Sequence, residues 1–114
     1  MARRVDIVLE DMLTAIDLIF GAAGGRDQAA FEADAFLQLG VERALEIISE
    51  AVRHVPEDVL AMHPHIPWAD VRALGNLIRH EYWRVEPTIV WRIVADDLPP
   101  LRDAIATMLG RETD

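Results

Sequence analysis

Residues 66–82 read IPWADVRALGNLIRHEY, and this stretch contains the clearest helical pattern of the chain. Proline is best tolerated in the first turn of a helix, so Pro67 indicates a start and the segment from Trp68 to about His80 is predicted to be helical. One face of that helix should pack on a core, because its apolar and small residues repeat at helical spacing, at Trp68, Val71, Leu74, Gly75 and Ile78.

A second stripe on the same helix is polar. It consists of Arg72, Asn76, Arg79 and His80, and Tyr82 follows just past the end. Arginine matches phosphate oxygens in fork geometry, histidine moves protons near neutral pH, and a tyrosine hydroxyl can donate to a phosphoryl oxygen. These residues form a candidate phosphate site, although on spacing alone a merely solvated polar face is the more common explanation.

The N-terminal half is predicted to contain two main helices. Three glycines within residues 21–25 end the first helix, whose apolar stripe starts at Val5. Asp27 can cap a short helical segment that runs through Phe31. The second main helix ends at Pro56, and its stripe consists of Leu37, Val41, Ala44, Leu45, Ile48, Val52 and Val55.

The C-terminal half is predicted to be helical as well. Residues 56–58 resemble the first turn of a short helix, and residues 86–87 open another helix. Asp96 and Asp97 precede two prolines, which predicts the cap and first turn of a separate last helix. Since no segment alternates apolar and polar residues, the sequence indicates an all-α fold, an up-and-down bundle of about four to five main helices forming one domain over residues 1–114.

Composition limits the functions that the chain can have. The 114 residues suit one domain, and the absence of cysteine excludes disulfides, thiolate metal sites and cysteine nucleophiles. Acidic residues within the first twenty positions argue against a secretory signal, and no apolar run is long enough to span a bilayer, so a cytoplasmic protein is expected. The apolar stripes are broad for so short a chain, which favours a homodimer.

Charge is unevenly distributed. The formal net charge of −9 argues against binding nucleic acid over the whole surface. Residues 71–84, however, contain three arginines and one acidic residue. His63-Pro64-His65 could contact a metal, but no carboxylate is obviously placed to join these histidines, so neither a metal nor a cofactor is predicted. Trp68, Trp83 and Trp91 could stack on bases or serve as core and interface anchors.

Segments along nearly the whole chain resemble the HepT-like toxins of the HEPN superfamily. They are Leu9, residues 11–13 and 15–16, Arg43, residues 45–48 and 50–51, residues 66–68, 76–82 and 90–91, and residues 97–99. The resemblance implies an all-helical homodimer encoded beside an MNT-type nucleotidyltransferase antitoxin. It also implies a ribonuclease that needs no metal and whose partner can attach AMP to the tyrosine of the motif.

The family motif consists of Arg, four residues, His, one residue and Tyr. The resemblance therefore implies that His80 is the motif histidine, that Tyr82 is the motif tyrosine and AMP acceptor, and that Asn76 is the polar residue that commonly follows the arginine. The arginine itself should stand at position 75, where this chain has Gly75.

Three explanations of Gly75 remain open. The protein is a weakened relative, or a neighbouring arginine (Arg72 or Arg79) supplies the guanidinium, or the arginine has been replaced. If position 75 is simply vacant, a Gly75→Arg variant should gain activity.

The resemblance predicts the toxin of a type II toxin–antitoxin pair, a ribonuclease acting on RNA, with tRNA as a candidate substrate and with activity reduced or absent. The alternative is a non-catalytic partner of a nucleotidyltransferase, or a nucleotide-binding module, in which Tyr82 is only a modification target. A third reading is a helical interaction domain without nucleotide chemistry.

Overall fold

The computed structural model describes residues 2–80 and 86–111; nothing is described of the side chains of residues 2, 3 and 80. Within these ranges every regular element is helical, which confirms the predicted all-α class. The elements are α1 (Ala2–Ala23), α2 (Gln28–Glu32), α3 (Ala35–Val52), α4 (Glu57–Leu60), α5 (Trp68–His80), α6 (Pro87–Arg92), a π-helical turn (Ile93–Asp97) and α7 (Leu98–Met108). No helix in the described part is long and apolar enough to cross a membrane.

Helix α3 lies at the centre of the bundle. It packs against α1 on one side and α5 on another, and it also contacts α2 and α6, while α7 packs against α1. The predicted apolar stripes meet in one core, with fully buried side chains at Met12, Ile16, Leu45, Ile48 and Ile105. Burying such side chains contributes roughly 1.5–3 kcal/mol each, so the packing of amphipathic faces rather than helix propensity holds the bundle together.

The link between α1 and α3 is fixed by side-chain caps. Asp27 Oδ1 accepts the N–H of Ala30 at 2.8 Å, which confirms the predicted cap of α2. Asp34 Oδ1 accepts the N–H of Leu37 at 3.0 Å and so caps α3. Helix α1 runs past the first glycine of the 21–25 segment, and the chain turns at Gly25, whose φ of 81° lies in the left-handed region.

The predicted last helix is confirmed, since α7 begins at Leu98 and has proline in its first turn, but the predicted cap by Asp96 or Asp97 is wrong. Residues 87–108 form one continuous helical run that contains the π-helical turn. Asp97 has helical dihedral angles and makes no capping hydrogen bond. The physical reason is the pair of prolines. The ring of Pro99 would collide with the carbonyl of residue 95 in a regular α-helix, and a wider turn accommodates it without ending the helix.

Candidate functional site

The start of α5 is anchored by a buried tryptophan. Trp68 Nε1 donates to the carbonyl oxygens of Leu60 at 2.9 Å and His63 at 3.0 Å, and only 9% of the residue is exposed. Trp68 is therefore a core anchor rather than a base-stacking platform. It fixes α5 to the end of α4 and so sets the direction in which the polar stripe of α5 points.

In the middle of α5, Gly75 makes a close approach to α3 possible. The N–H of Gly75 donates to Ser49 Oγ at 2.9 Å, and Ser49 Oγ donates to the carbonyl oxygen of Arg72 at 2.8 Å. A Cβ atom at position 75 would lie 2.8 Å from Ser49 Oγ and 3.3 Å from Ser49 Cβ. Packing thus accounts for the glycine that helix propensity does not explain. Sequence reasoning missed Ser49, because no spacing rule singles out a serine beside an apolar stripe.

Two residues of the predicted polar stripe come together beside Gly75. Arg79 Nη2 donates to Asn76 Oδ1 at 3.0 Å. Arg79 Nη1 lies 3.8 Å from Glu46 Oε2 on α3 and 3.0 Å from the position that a Cβ at residue 75 would occupy. The Arg79 guanidinium therefore lies directly over the glycine.

Arg72 does not join this pair. Its Nη2 donates to Glu57 Oε1 of α4, so its guanidinium is engaged away from Asn76 and Arg79. The stripe that the sequence predicts as one phosphate site is thus divided in the structure, with Arg72 on the α4 side and Asn76 with Arg79 on the α3 side.

Arg79 borders a shallow groove between α1, α3 and α5. The ionisable side chains in its lining include Asp11, Arg43, Glu46, Glu50 and His54. Arg43 Nη1 lies 3.8 Å from Glu46 Oε1, so the Glu46 carboxylate is flanked by two guanidinium groups. A phosphate could bind both arginines here, in competition with Glu46.

The end of α5 places His80 directly after Arg79 and one helical turn after Asn76. The side chain of His80 lies outside the described residues, as do Glu81, Tyr82 and Trp83 entirely. The roles assigned to His80 and Tyr82 therefore stay predictions.

The two histidines that could have contacted a metal lie near each other. The rings of His63 and His65 have centroids 5.9 Å apart. In the described ranges, no group of three or more histidine, aspartate or glutamate side chains is arranged to hold a metal ion.

Comparison with known proteins gives a consistent result. A family profile described as Ribonuclease HepT-like matches residues 12–108. The "Probable ribonuclease HepT" of Thermococcus cleftensis is 36% identical over 94 residues, which cover 82% of this chain and 86% of that protein. The "Putative RNase MJ1380" of Methanocaldococcus jannaschii is 29% identical over 103 residues, covering 90% of this chain and 94% of that protein.

A longer relative from the same archaeon is also similar. The "Gamma-glutamylcyclotransferase and putative RNase MJ0434" is 29% identical over 109 residues, or 96% of this chain, and the match spans about half of that protein, 49% of its length. No solved structure matches the chain.

Proposed function

Because this chain belongs to the HepT-like ribonuclease family, we propose that it is a metal-independent endoribonuclease and the toxin of a type II toxin–antitoxin pair, acting on RNA in the cytoplasm. The observation that carries the proposal is the last part of α5, where the Arg79–Asn76 pair is followed directly by His80 within the segment that the family profile matches. An anion-binding guanidinium next to a proton-transfer group is what phosphodiester cleavage requires.

In the proposed reaction, the ribose 2′-hydroxyl attacks the adjacent phosphorus. The bond from the 2′-oxygen to phosphorus forms while the bond from phosphorus to the 5′-oxygen breaks. The 2′-hydroxyl loses its proton and the 5′-oxygen gains one, which gives a 2′,3′-cyclic phosphate and a 5′-hydroxyl. His80 acts as general base or acid for one of these transfers, a contribution of typically ~10²–10⁴-fold. Tyr82 positions the phosphate.

The direct test is cleavage of total RNA or tRNA in the presence of EDTA. Wild-type protein is expected to cleave, and His80→Ala is expected to lose on the order of 10²–10⁴ in rate. His65→Ala is the matched control, because His65 is exposed and lies outside the groove beside Arg79. Loss of activity on chelation, or full activity of His80→Ala, would contradict the proposal.

For regulation, we propose that an MNT-type nucleotidyltransferase partner attaches AMP to Tyr82. Mixing the two proteins with ATP should add the mass of one or more AMP units on Tyr82, and Tyr82→Phe should abolish the addition. AMP on Tyr82 in a protein that never cleaves RNA would instead favour the non-catalytic partner, in which the tyrosine is only a modification target.

We further propose that the protein is a homodimer. Large apolar side chains are exposed along α1 and α3, with 66% of Leu18, 86% of Phe36, 57% of Leu39 and 38% of Ile47 accessible. Leu18, Phe36 and Ile47 line one apolar patch, whose edge includes Arg43. Arg43 and Ile47 also line the groove beside Arg79, so pairing across the patch would bring two Arg79 grooves near each other.

Sedimentation of the wild type should give the mass of two chains at micromolar concentration. Phe36→Glu should give the mass of one chain. Met62→Glu is the matched control, since Met62 is 74% exposed outside the patch and its replacement should leave the dimer intact. A single-chain mass for the wild type would refute the dimer.

A further inference from the structure

The space above Gly75 is already occupied by a guanidinium. Arg79 Nη1 lies 3.0 Å from the position of a Cβ at residue 75, and Ser49 Oγ lies 2.8 Å from the same position. A Cβ at position 75 would therefore force Ser49 to shift and would bring the Arg79 guanidinium into tight contact. A longer side chain at position 75, such as arginine, would compete with Arg79 for the same space.

Two contacts orient the Arg79 guanidinium. Asn76 Oδ1 accepts from Nη2 at 3.0 Å, and the Glu46 carboxylate lies 3.8 Å from Nη1. The Arg79 side chain is nevertheless 45% exposed, and guanidinium has five N–H donors, so donors remain for a phosphate that enters from the groove. Asn76 and Glu46 therefore orient the Arg79 guanidinium and still leave N–H donors available for a phosphate.

Arg72, the other arginine near Gly75, is arranged differently. It precedes Gly75 by three residues, but its guanidinium pairs with Glu57, and its carbonyl oxygen accepts hydrogen bonds from Ser49 Oγ at 2.8 Å and Arg53 Nη2 at 3.2 Å. Arg72 therefore helps to join α5 to α3 and α4. Of the two arginines, Arg79 is the one whose guanidinium stands over residue 75.

We propose that Arg79 is the catalytic arginine of this protein and that Gly75 is the positioning residue that makes room for it. The inference deepens the proposed ribonuclease function and rests on it. Arg79, which directly precedes His80 in the sequence, donates to the non-bridging oxygens of the phosphate under attack and stabilises the charge that develops there. Arg79, one helical turn after position 75, thus takes the role of the motif arginine, and Gly75 leaves room for its guanidinium.

The test combines cleavage with binding of a 2′-O-methyl RNA that cannot be cleaved. Arg79→Ala should lower kcat on the order of 10²–10³-fold. Its slope of log binding constant against log salt should become shallower by about 0.7, the value for one lost phosphate contact to a single strand. Arg79→Lys should recover only part of the rate, because lysine is a point charge without the planar fork. Gly75→Arg should lower the rate rather than raise it.

Arg111→Ala is the matched control, since Arg111 is also a half-exposed arginine with one carboxylate partner, Glu10, and it lines neither the groove beside Arg79 nor the apolar patch. It should cleave and bind like the wild type. Thermal unfolding of each variant separates loss of function from loss of fold.

The outcomes separate the two proposals. If the wild type cleaves RNA and Arg79→Ala matches it in rate and salt slope, the Arg79 assignment is wrong and the ribonuclease function stands. A gain of activity in Gly75→Arg would also overturn the assignment. If the wild type does not cleave RNA, the ribonuclease proposal is wrong. If Arg79→Ala nevertheless shows a shallower salt dependence of RNA binding, Arg79 remains a phosphate-binding residue.

Discussion

Replacing Gly75 by alanine sets two physical effects against each other. Alanine in a helix is favoured over glycine by ~1 kcal/mol, so propensity alone would stabilise the protein. The new Cβ would meet Ser49 Oγ at 2.8 Å and Ser49 Cβ at 3.3 Å. Ser49 cannot rotate away freely, because its hydroxyl group bonds both Gly75 and Arg72. Overpacking of this kind costs typically ~1–3 kcal/mol, so we expect a net loss of about 1 kcal/mol in the free energy of unfolding.

Urea unfolding of Gly75→Ala and of the wild type, at the same protein concentration, measures this difference in the free energy of unfolding. A loss of that size corresponds to a fall in melting temperature of about 4 °C for a domain of this length. Gly21→Ala is the matched control: Gly21 lies inside α1, lines neither the apolar patch nor the groove beside Arg79, and a Cβ there would meet nothing within 4 Å, so this variant should gain up to ~1 kcal/mol. If Gly75→Ala stabilised the protein as Gly21→Ala does, the steric account of Gly75 would be refuted.

Three further substitutions test the fold, each by urea unfolding. Gln38→Met should destabilise by about 1–3 kcal/mol, because the buried Gln38 Nε2 donates to the carbonyl oxygens of Phe31 at 2.8 Å and Glu32 at 3.0 Å; an unchanged midpoint would contradict this. Trp68→Phe removes the donor that joins α5 to Leu60 and His63 and should cost at least about 1 kcal/mol; a neutral result would mean that these bonds do not anchor α5. Gly25→Ala places a Cβ at a φ of 81° and should cost about 1–2 kcal/mol, whereas Gly21→Ala, in open helical surroundings, should not destabilise.

Much of the fold follows from the sequence, because helix periodicity and end residues are local properties. Pro67 marks the start of α5, and Asp27 caps α2 as its type and position predict. These local properties of the sequence do not predict the π-helical turn. Asp97 followed by prolines has the residue types of a helix start, and α7 does begin at Leu98, but these residue types do not show that the chain passes from α6 into α7 through a π-helical turn.

For the candidate site, the sequence provides the residues but not their partners. Spacing puts Arg72, Asn76 and Arg79 on one stripe, yet Glu57 and Glu46 come from other helices and divide that stripe. Ser49 explains Gly75 through a contact between residues 26 positions apart, and no pattern within one helix reveals such a contact. The contact with Ser49 therefore explains Gly75 as a residue that allows α5 to pack closely against α3.

The chemistry of the cleaved ends tests the central claim most directly. After digestion of RNA by the wild-type protein in EDTA, the account predicts 5′-hydroxyl ends and 2′,3′-cyclic phosphates, and no cleavage where the attacking nucleotide carries a 2′-deoxyribose. Fragments with 5′-phosphate ends, or cleavage at a 2′-deoxy position, would show that the 2′-hydroxyl is not the nucleophile and would contradict the account.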